Sequence, residues 1–190
     1  MTGGDPIAAS KHELRRRMRL ARDLVDDRVL RSAGLWAQLA GTDAYRHATT
    51  VMAFVGGKGE PDTESLFARV AAEGKTLVLP SIVDDRVVPR LVGPGLAPGA
   101  FGIPEPQGEP VAPIGLDLVL VPGLAFTRDG RRLGQGGGHY DRFLADLPSS
   151  CATVGVCFAE QMVDDLPEEP HDRKVGLVVT DDLQTEGLAE

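Results

Sequence analysis

Two hydrophobic rhythms run along the chain. Near the N-terminus apolar residues recur at helical spacing (Leu14, Met18, Ala21, Val25), and from residue 50 onward short continuous apolar runs alternate with polar stretches. The first rhythm predicts a helix starting at Ser10, where Ser10-Lys11-His12-Glu13 has the form of a capping box, and a second helix over 27–39. The second rhythm predicts strands over 50–55, 76–80, 116–121, 153–158 and 175–180, with a further strand over 86–92. Helices over 62–73, capped by Asp62, and 139–147 fall between them, and the Gly- and Pro-rich stretch 93–115 reads as a long ordered loop. Strands that are apolar at every position are covered on both faces. Alternating with helices, they predict an α/β/α sandwich around a largely parallel sheet. Residues 1–9 read as a disordered lead-in and 10–185 as a single domain.

Composition narrows the class. The 190 residues are 42% hydrophobic and 25% charged, an ordinary balance for one globular domain. The longest apolar runs are strand-sized, so no membrane-spanning helix is expected. The opening Met-Thr-Gly-Gly-Asp lacks the pattern of a signal peptide, which predicts a cytoplasmic protein. Two cysteines, Cys151 and Cys157, are too few for a disulfide framework and read as inert core thiols. A net charge of −8 argues against a nucleic-acid partner. The basic residues nevertheless concentrate in 11–22 and 128–142, which suits a small anionic ligand better than a polyanion.

The second basic cluster carries the chemistry. The apolar run at 118–121 stops at Pro122-Gly123. Arg128, Arg131 and Arg132 follow, then Gly134, Gln135, Gly136, Gly137 and Gly138, and then His139-Tyr140-Asp141-Arg142. Glycines free the backbone to approach a ligand, successive N–H groups can cradle an anion, and a helix beginning just after them adds a favourable dipole end. Asp141 stands where a metal could sit beside a phosphate. The spacing is neither a Walker A nor a dinucleotide fingerprint, and a glycine-rich surface turn is the competing reading of the stretch on its own. Lys11, Arg15, Arg19 and Arg22 share one helix face, which reads as a second phosphate contact or as a solvated charged face.

The string from Val121 to Phe126, followed by Gly130-Arg-Arg-Leu-Gly-Gln-Gly-Gly-Gly-His-Tyr-Asp-Arg142, resembles the signature of the 5-formyltetrahydrofolate cyclo-ligase family, also called methenyltetrahydrofolate synthetases. Lys11 and Arg15, Glu60-Pro-Asp-Thr63, Gly102-Ile-Pro-Glu105-Pro106, His171-Asp172 and Thr180 match in the same order, so the resemblance covers nearly the whole chain. It implies the fold shared with sugar-phosphate isomerases and CoA transferases. It also implies ATP- and Mg²⁺-dependent conversion of 5-formyltetrahydrofolate to 5,10-methenyltetrahydrofolate, with ADP and phosphate released.

Carried over by resemblance, Lys11, Arg15 and the loop Arg132, Leu133, Gly134, Gln135, Gly136, Gly137, Gly138, His139 and Tyr140 would bind ATP. Val55, Glu60 and residues Gln135 to His139 would contact the folate. Asp141 and Asp172 would hold Mg²⁺, and Arg132, Tyr140 and Asp141 would be catalytic. The resemblance further implies a monomer with small-molecule substrates only. Two positions depart from it: family members commonly carry an aromatic or basic residue where Gln135 stands, and Tyr where His139 stands. A catalytically impaired folate- or nucleotide-binding homologue and a sugar-phosphate isomerase are the competing readings.

Overall fold

The computed structural model describes residues 6–99 and 102–182. Five helices are named here in chain order: α1 (Pro6–Asp23), α2 (Arg28–Gly41), α3 (Asp43–His47), α4 (Glu64–Ala72) and α5 (His139–Ala145). The strands are β1 (Thr50–Met52), β2 (Thr76–Val83), β3 (Arg86–Leu91), β4 (Leu96–Pro98), β5 (Pro104–Pro106), β6 (Leu118–Val121), β7 (Ala125–Phe126), β8 (Arg132–Leu133), β9 (Ala152–Cys157) and β10 (Leu177–Thr180). Six of them form the central sheet in the order β10-β9-β6-β1-β2-β3; all pairings are parallel except β2 with β3.

Side-chain alternation along the buried strands builds two cores. Val51, Leu118, Leu120, Val154 and Val156 point to one face and pack against Leu35, Trp36 and Leu39 of α2, Tyr45 of α3, and Leu66 and Val70 of α4. Met52, Val119 and Val121 point to the other face, where Phe143 of α5 and Phe126 meet them. The result is the expected α/β/α layering, with each fully buried aliphatic side chain contributing ~1.5–3 kcal/mol. A third cluster joins Met18 of α1 to Leu124, Leu133 and Leu166, which seats α1 over the β7–β8 hairpin.

Several boundaries differ from the sequence expectation. Helix α1 begins at Pro6, so Ser10 lies inside it and the capping box is not used; residues 6–9 are helical, and 1–5 lie outside the described residues. Residues 183–185 of the expected domain also lie outside them. The helix expected over 62–73 starts at Glu64, with Thr63 at the cap position making no side-chain capping bond; Asp62 Oδ1 accepts the Glu64 N–H at 3.1 Å and so serves the helix start. Strand β1 ends at Met52, although the Ala53 N–H still donates to the Val78 carbonyl of β2 at 2.9 Å. Strand β2 runs past Pro80 to Val83 and turns on Asp84-Asp85, both with positive φ (47° and 61°) as a two-residue hairpin requires. The stretch 93–115 holds a small hairpin, β4 with β5, rather than loop throughout. Both cysteines are buried and free. Burial raises the Cys151 thiol to about 11 and pushes Cys157 higher, so neither is a ready nucleophile.

Candidate active site

Strand β1 has β2 on one side and β6 on the other, both parallel to it. The chain leaves the ends of β1 and β6 in opposite directions across the sheet, and such switch points open a crevice at the carboxyl ends of the strands. The segments after β1 and after β6, together with one face of α1, enclose a cleft of about 700 Å³ there.

Lys11, Arg15 and Arg22 of the cationic row on α1 line this cleft, while Arg19 is exposed outside it. Lys11 is only 4% exposed and Arg22 7%, so these two are not part of a solvated face. The Lys11 ammonium lies 2.6 Å from Glu169 Oε2 and 2.5 Å from Asp172 Oδ2. Burial opposes its charge, but the hydrogen bonds to Asp172 and Glu169 outweigh that and hold it above its ordinary value. Burial likewise opposes the Asp172 charge, and Lys11 with the Glu169 N–H overcomes it, so Asp172 stays below the usual carboxylate range. Arg15 Nε donates to the Gly134 carbonyl at 3.0 Å, and Arg19 donates twice to Gln135 Oε1 at 3.2 and 3.0 Å. Helix α1 therefore grips the glycine loop from above.

That loop joins β8 to α5. Gly136 (φ 108°) and Gly138 (φ 65°) are the two of its four glycines that require positive φ. Arg132, with a side chain 3% exposed, donates to Asp141 Oδ1 at 2.7 Å, and its guanidinium lies 5.9 Å from the centre of the Tyr140 ring. Arg132 Nε is buried with no hydrogen-bond partner. Asp141 Oδ1 also accepts the Arg173 N–H at 3.2 Å, which brings Asp141 beside Asp172. Burial pushes the Tyr140 phenol upward, helped by the Glu60 charge, so it remains protonated. His139 Nε2 lies 2.8 Å from Asp85 Oδ1 at the β2–β3 turn, and Arg142 donates to the same carboxylate at 2.9 Å.

Phe54, Val55, Pro80, Ile82, Val87 and Ile103 supply the apolar part of the lining. Glu60 lines the cleft as well, its Oε2 accepting the Gly57 N–H at 2.9 Å.

The residues to which the resemblance assigns binding, catalytic or metal roles all line this one cleft: Lys11, Arg15, Val55, Glu60, 132–141 and Asp172; Arg19, Arg128, Arg131, Arg142 and Thr180, also singled out from the sequence, do not. Leu133 does so while its side chain belongs to the core under α1, so it serves the loop as an anchor. The expected metal pair is arranged differently. Glu169, His171 and Asp172 each offer a ligand atom within 4.8 Å of one another, whereas Asp141 is engaged with Arg132. Sequence reasoning missed Glu169, Phe54, Ile82 and Ile103. Glu169 lies in an irregular Glu-Glu-Pro-His-Asp run without periodicity; Phe54 looked like an ordinary strand position, Ile82 fell between two expected strands, and Ile103 lay in the stretch read as a loop.

Residues 7–181 match the sequence profile of the 5-formyltetrahydrofolate cyclo-ligase family. The 5-formyltetrahydrofolate cyclo-ligase of Mycolicibacterium smegmatis is 35% identical over 141 residues, spanning 69% of this chain and 73% of its own. That of Mus musculus is 26% identical over 189 residues, spanning 90% of this chain and 91% of its own. The solved structure of Aquifex aeolicus 5,10-methenyltetrahydrofolate synthetase superposes with a TM-score of 0.84 at 32% identity, covering 95% of this chain and 93% of that one. Fold, cleft and relatives define an enzyme of the ligase class. The chain belongs to the 5-formyltetrahydrofolate cyclo-ligase family.

Proposed function

We propose that the protein converts 5-formyltetrahydrofolate to 5,10-methenyltetrahydrofolate at the expense of ATP, with Mg²⁺ as cofactor, acting as a cytoplasmic monomer. The observation that carries this reading is the division of a single cleft into a cationic, glycine-lined half and an apolar half closed by a carboxylate. The first half suits a triphosphate. The second suits a flat heterocycle whose N–H edge meets Glu60.

The formyl oxygen is a poor leaving group until it is phosphorylated. Its attack on the γ-phosphorus forms an O–P bond, and the broken P–O bond leaves its electron pair on ADP. N10 then bonds to the formyl carbon and loses its proton, and the phosphorylated oxygen departs as inorganic phosphate. The protein's task is alignment and charge stabilisation. Arg15 and the loop N–H groups hold the γ-phosphate, and the unused Arg132 Nε–H offers a further donor. The apolar wall orients the pterin and excludes water from the phosphorylated intermediate.

The donor set fits a hard divalent cation, because the Glu169 and Asp172 oxygens already converge on a positive group, the Lys11 ammonium. Asp172 and Glu169 would hold Mg²⁺ with Asp141 beside them, and Lys11 would then be released toward the phosphates. When bound, Mg²⁺ supplies neutralisation of the phosphate charge.

The test is direct. Protein, Mg·ATP and 5-formyltetrahydrofolate are mixed and the methenyl absorbance is followed. Its growth in step with ADP supports the proposal. Binding of both substrates without turnover would favour the impaired homologue, and isomerisation of sugar phosphates without ATP would favour the isomerase.

A further inference from the structure

The α1 row does not end at the nucleotide. Arg22, two turns beyond Arg15, reaches the folate end of the cleft, where its side chain is 8% exposed against 16% for Glu60. Arg22 Nη2 donates to the Lys58 carbonyl at 2.9 Å, and Nη1 lies 3.4 Å from Glu60 Oε1. The Glu60 N–H closes the 57–60 turn on the Gly57 carbonyl at 3.0 Å. Gly59 sits in that turn at φ 79°, and a Cβ there would come within 2.9 Å of Arg22 Nε. The guanidinium is thus packed against the turn at a position only glycine permits. Arg28 in turn donates to the Arg22 and Asp23 carbonyls at 3.1 and 2.9 Å, fixing the end of the helix.

We propose that Arg22 is a positioning residue that fixes the plane of the Glu60 carboxylate for the N–H edge of the pterin ring, an inference that rests on the folate reading of Glu60. A carboxylate that must accept neighbouring N–H groups needs a defined plane as well as a charge. Gly57 holds one oxygen, and Arg22 faces the other. At 3.4 Å the contact acts chiefly through charge, and the short bond to Lys58 keeps that charge in place. Lysine does not reproduce this, because its single ammonium nitrogen lacks the fixed planar fork whose separate Nη1 and Nη2 groups face the Glu60 carboxylate and the Lys58 carbonyl. Arg22 also mounts the folate acceptor on the same rigid helix that holds the glycine loop through Arg15, so the two substrates are set in register by one element.

The experiment is a double-mutant cycle of Arg22→Lys and Glu60→Gln in the full chain, reading the folate Kd by calorimetry and the KM for each substrate. Arg22→Lys keeps the charge but loses the fork that fixes it between Lys58 and Glu60, and is expected to weaken folate about tenfold, the scale of losing one well-placed hydrogen bond to a charged group, while the KM for ATP changes less than about twofold. In the Glu60→Gln background the same substitution should add almost nothing, because its target is already lost. Full additivity in the cycle, or unchanged folate binding in Arg22→Lys, would overturn the proposal while leaving Glu60 as a folate contact. Unchanged folate binding in Glu60→Gln alone would overturn the folate reading of Glu60, and the proposal with it. Arg22→Met serves as a second variant, with a cooperative melt confirming its fold; folate binding below that of Arg22→Lys is expected, and equal or better binding counts against the proposal.

Discussion

At the scale of single residues, the site is a set of charges balanced against each other before any substrate arrives. Lys11 neutralises Glu169 and Asp172, and Arg132 neutralises Asp141. Removing one member leaves the other poorly compensated. Lys11→Met is therefore expected to cost on the order of 3 kcal/mol in a urea melt, the scale for breaking a buried pair. The pH dependence follows from the directions of the shifts. Asp172 is held below its ordinary value of 3.8, so its contribution to stability is complete above that pH and is lost as pH falls through the lowered value. Lys11 is held above 10.5, so its contribution is complete below that pH and is lost only as pH rises beyond it. Stability should thus fall more steeply below about pH 4 in the parent than in Asp172→Asn, and identical acid limbs would count against the pairing. Asp141→Asn keeps the shape of the side chain and is expected to lower turnover ~10²-fold or more with a cooperative melt retained. Near-normal rates at low Mg²⁺ would remove Asp141 from the machinery. His139→Tyr should stay active while losing the contact to Asp85.

At the scale of elements, the glycine loop is the sharpest test. A side chain at Gly136 must adopt φ 108° and lies 3.4 Å from the Arg15 guanidinium. Gly136→Val should abolish ATP binding in calorimetry and leave a cooperative melt, since the strain of ~1–3 kcal/mol is local. Normal ATP binding in that variant would make the loop an ordinary turn. The long, strongly patterned elements were legible because period and burial agree. Their ends were not, for identifiable reasons. Pro6 suits a first helical residue and Ala8-Ala9 favour continuation, so the helix start lies upstream of the capping box. Pro80 seemed to end β2, yet β1 pairs only as far as Val78, and beyond it β2 has only β3 as a sheet neighbour, where proline is tolerated. Phe54 and Val55 continued the apolar run of β1 in the sequence, but they line the cleft instead of extending the strand.

At the scale of the whole molecule, a single sheet brings together segments more than a hundred residues apart: α1, the turn after β1, the loop after β6 and the 169–172 corner. The cationic, glycine-lined part of this cleft was legible in the sequence, because arginines and glycines cluster together at 128–142. The carboxylate arrangement was less visible, because which acid meets Lys11 depends on how the irregular 158–174 segment folds back. No described helix is long and apolar enough to cross a membrane.

The proposed reaction turns on activation of the formyl oxygen by phosphoryl transfer within one cleft. The most direct measurement starts from 5-formyltetrahydrofolate carrying ¹⁸O in the formyl group and follows the isotope through one turnover with Mg·ATP. The account expects the label in inorganic phosphate, in step with the methenyl product. Label released as water, with unlabelled phosphate, would contradict it.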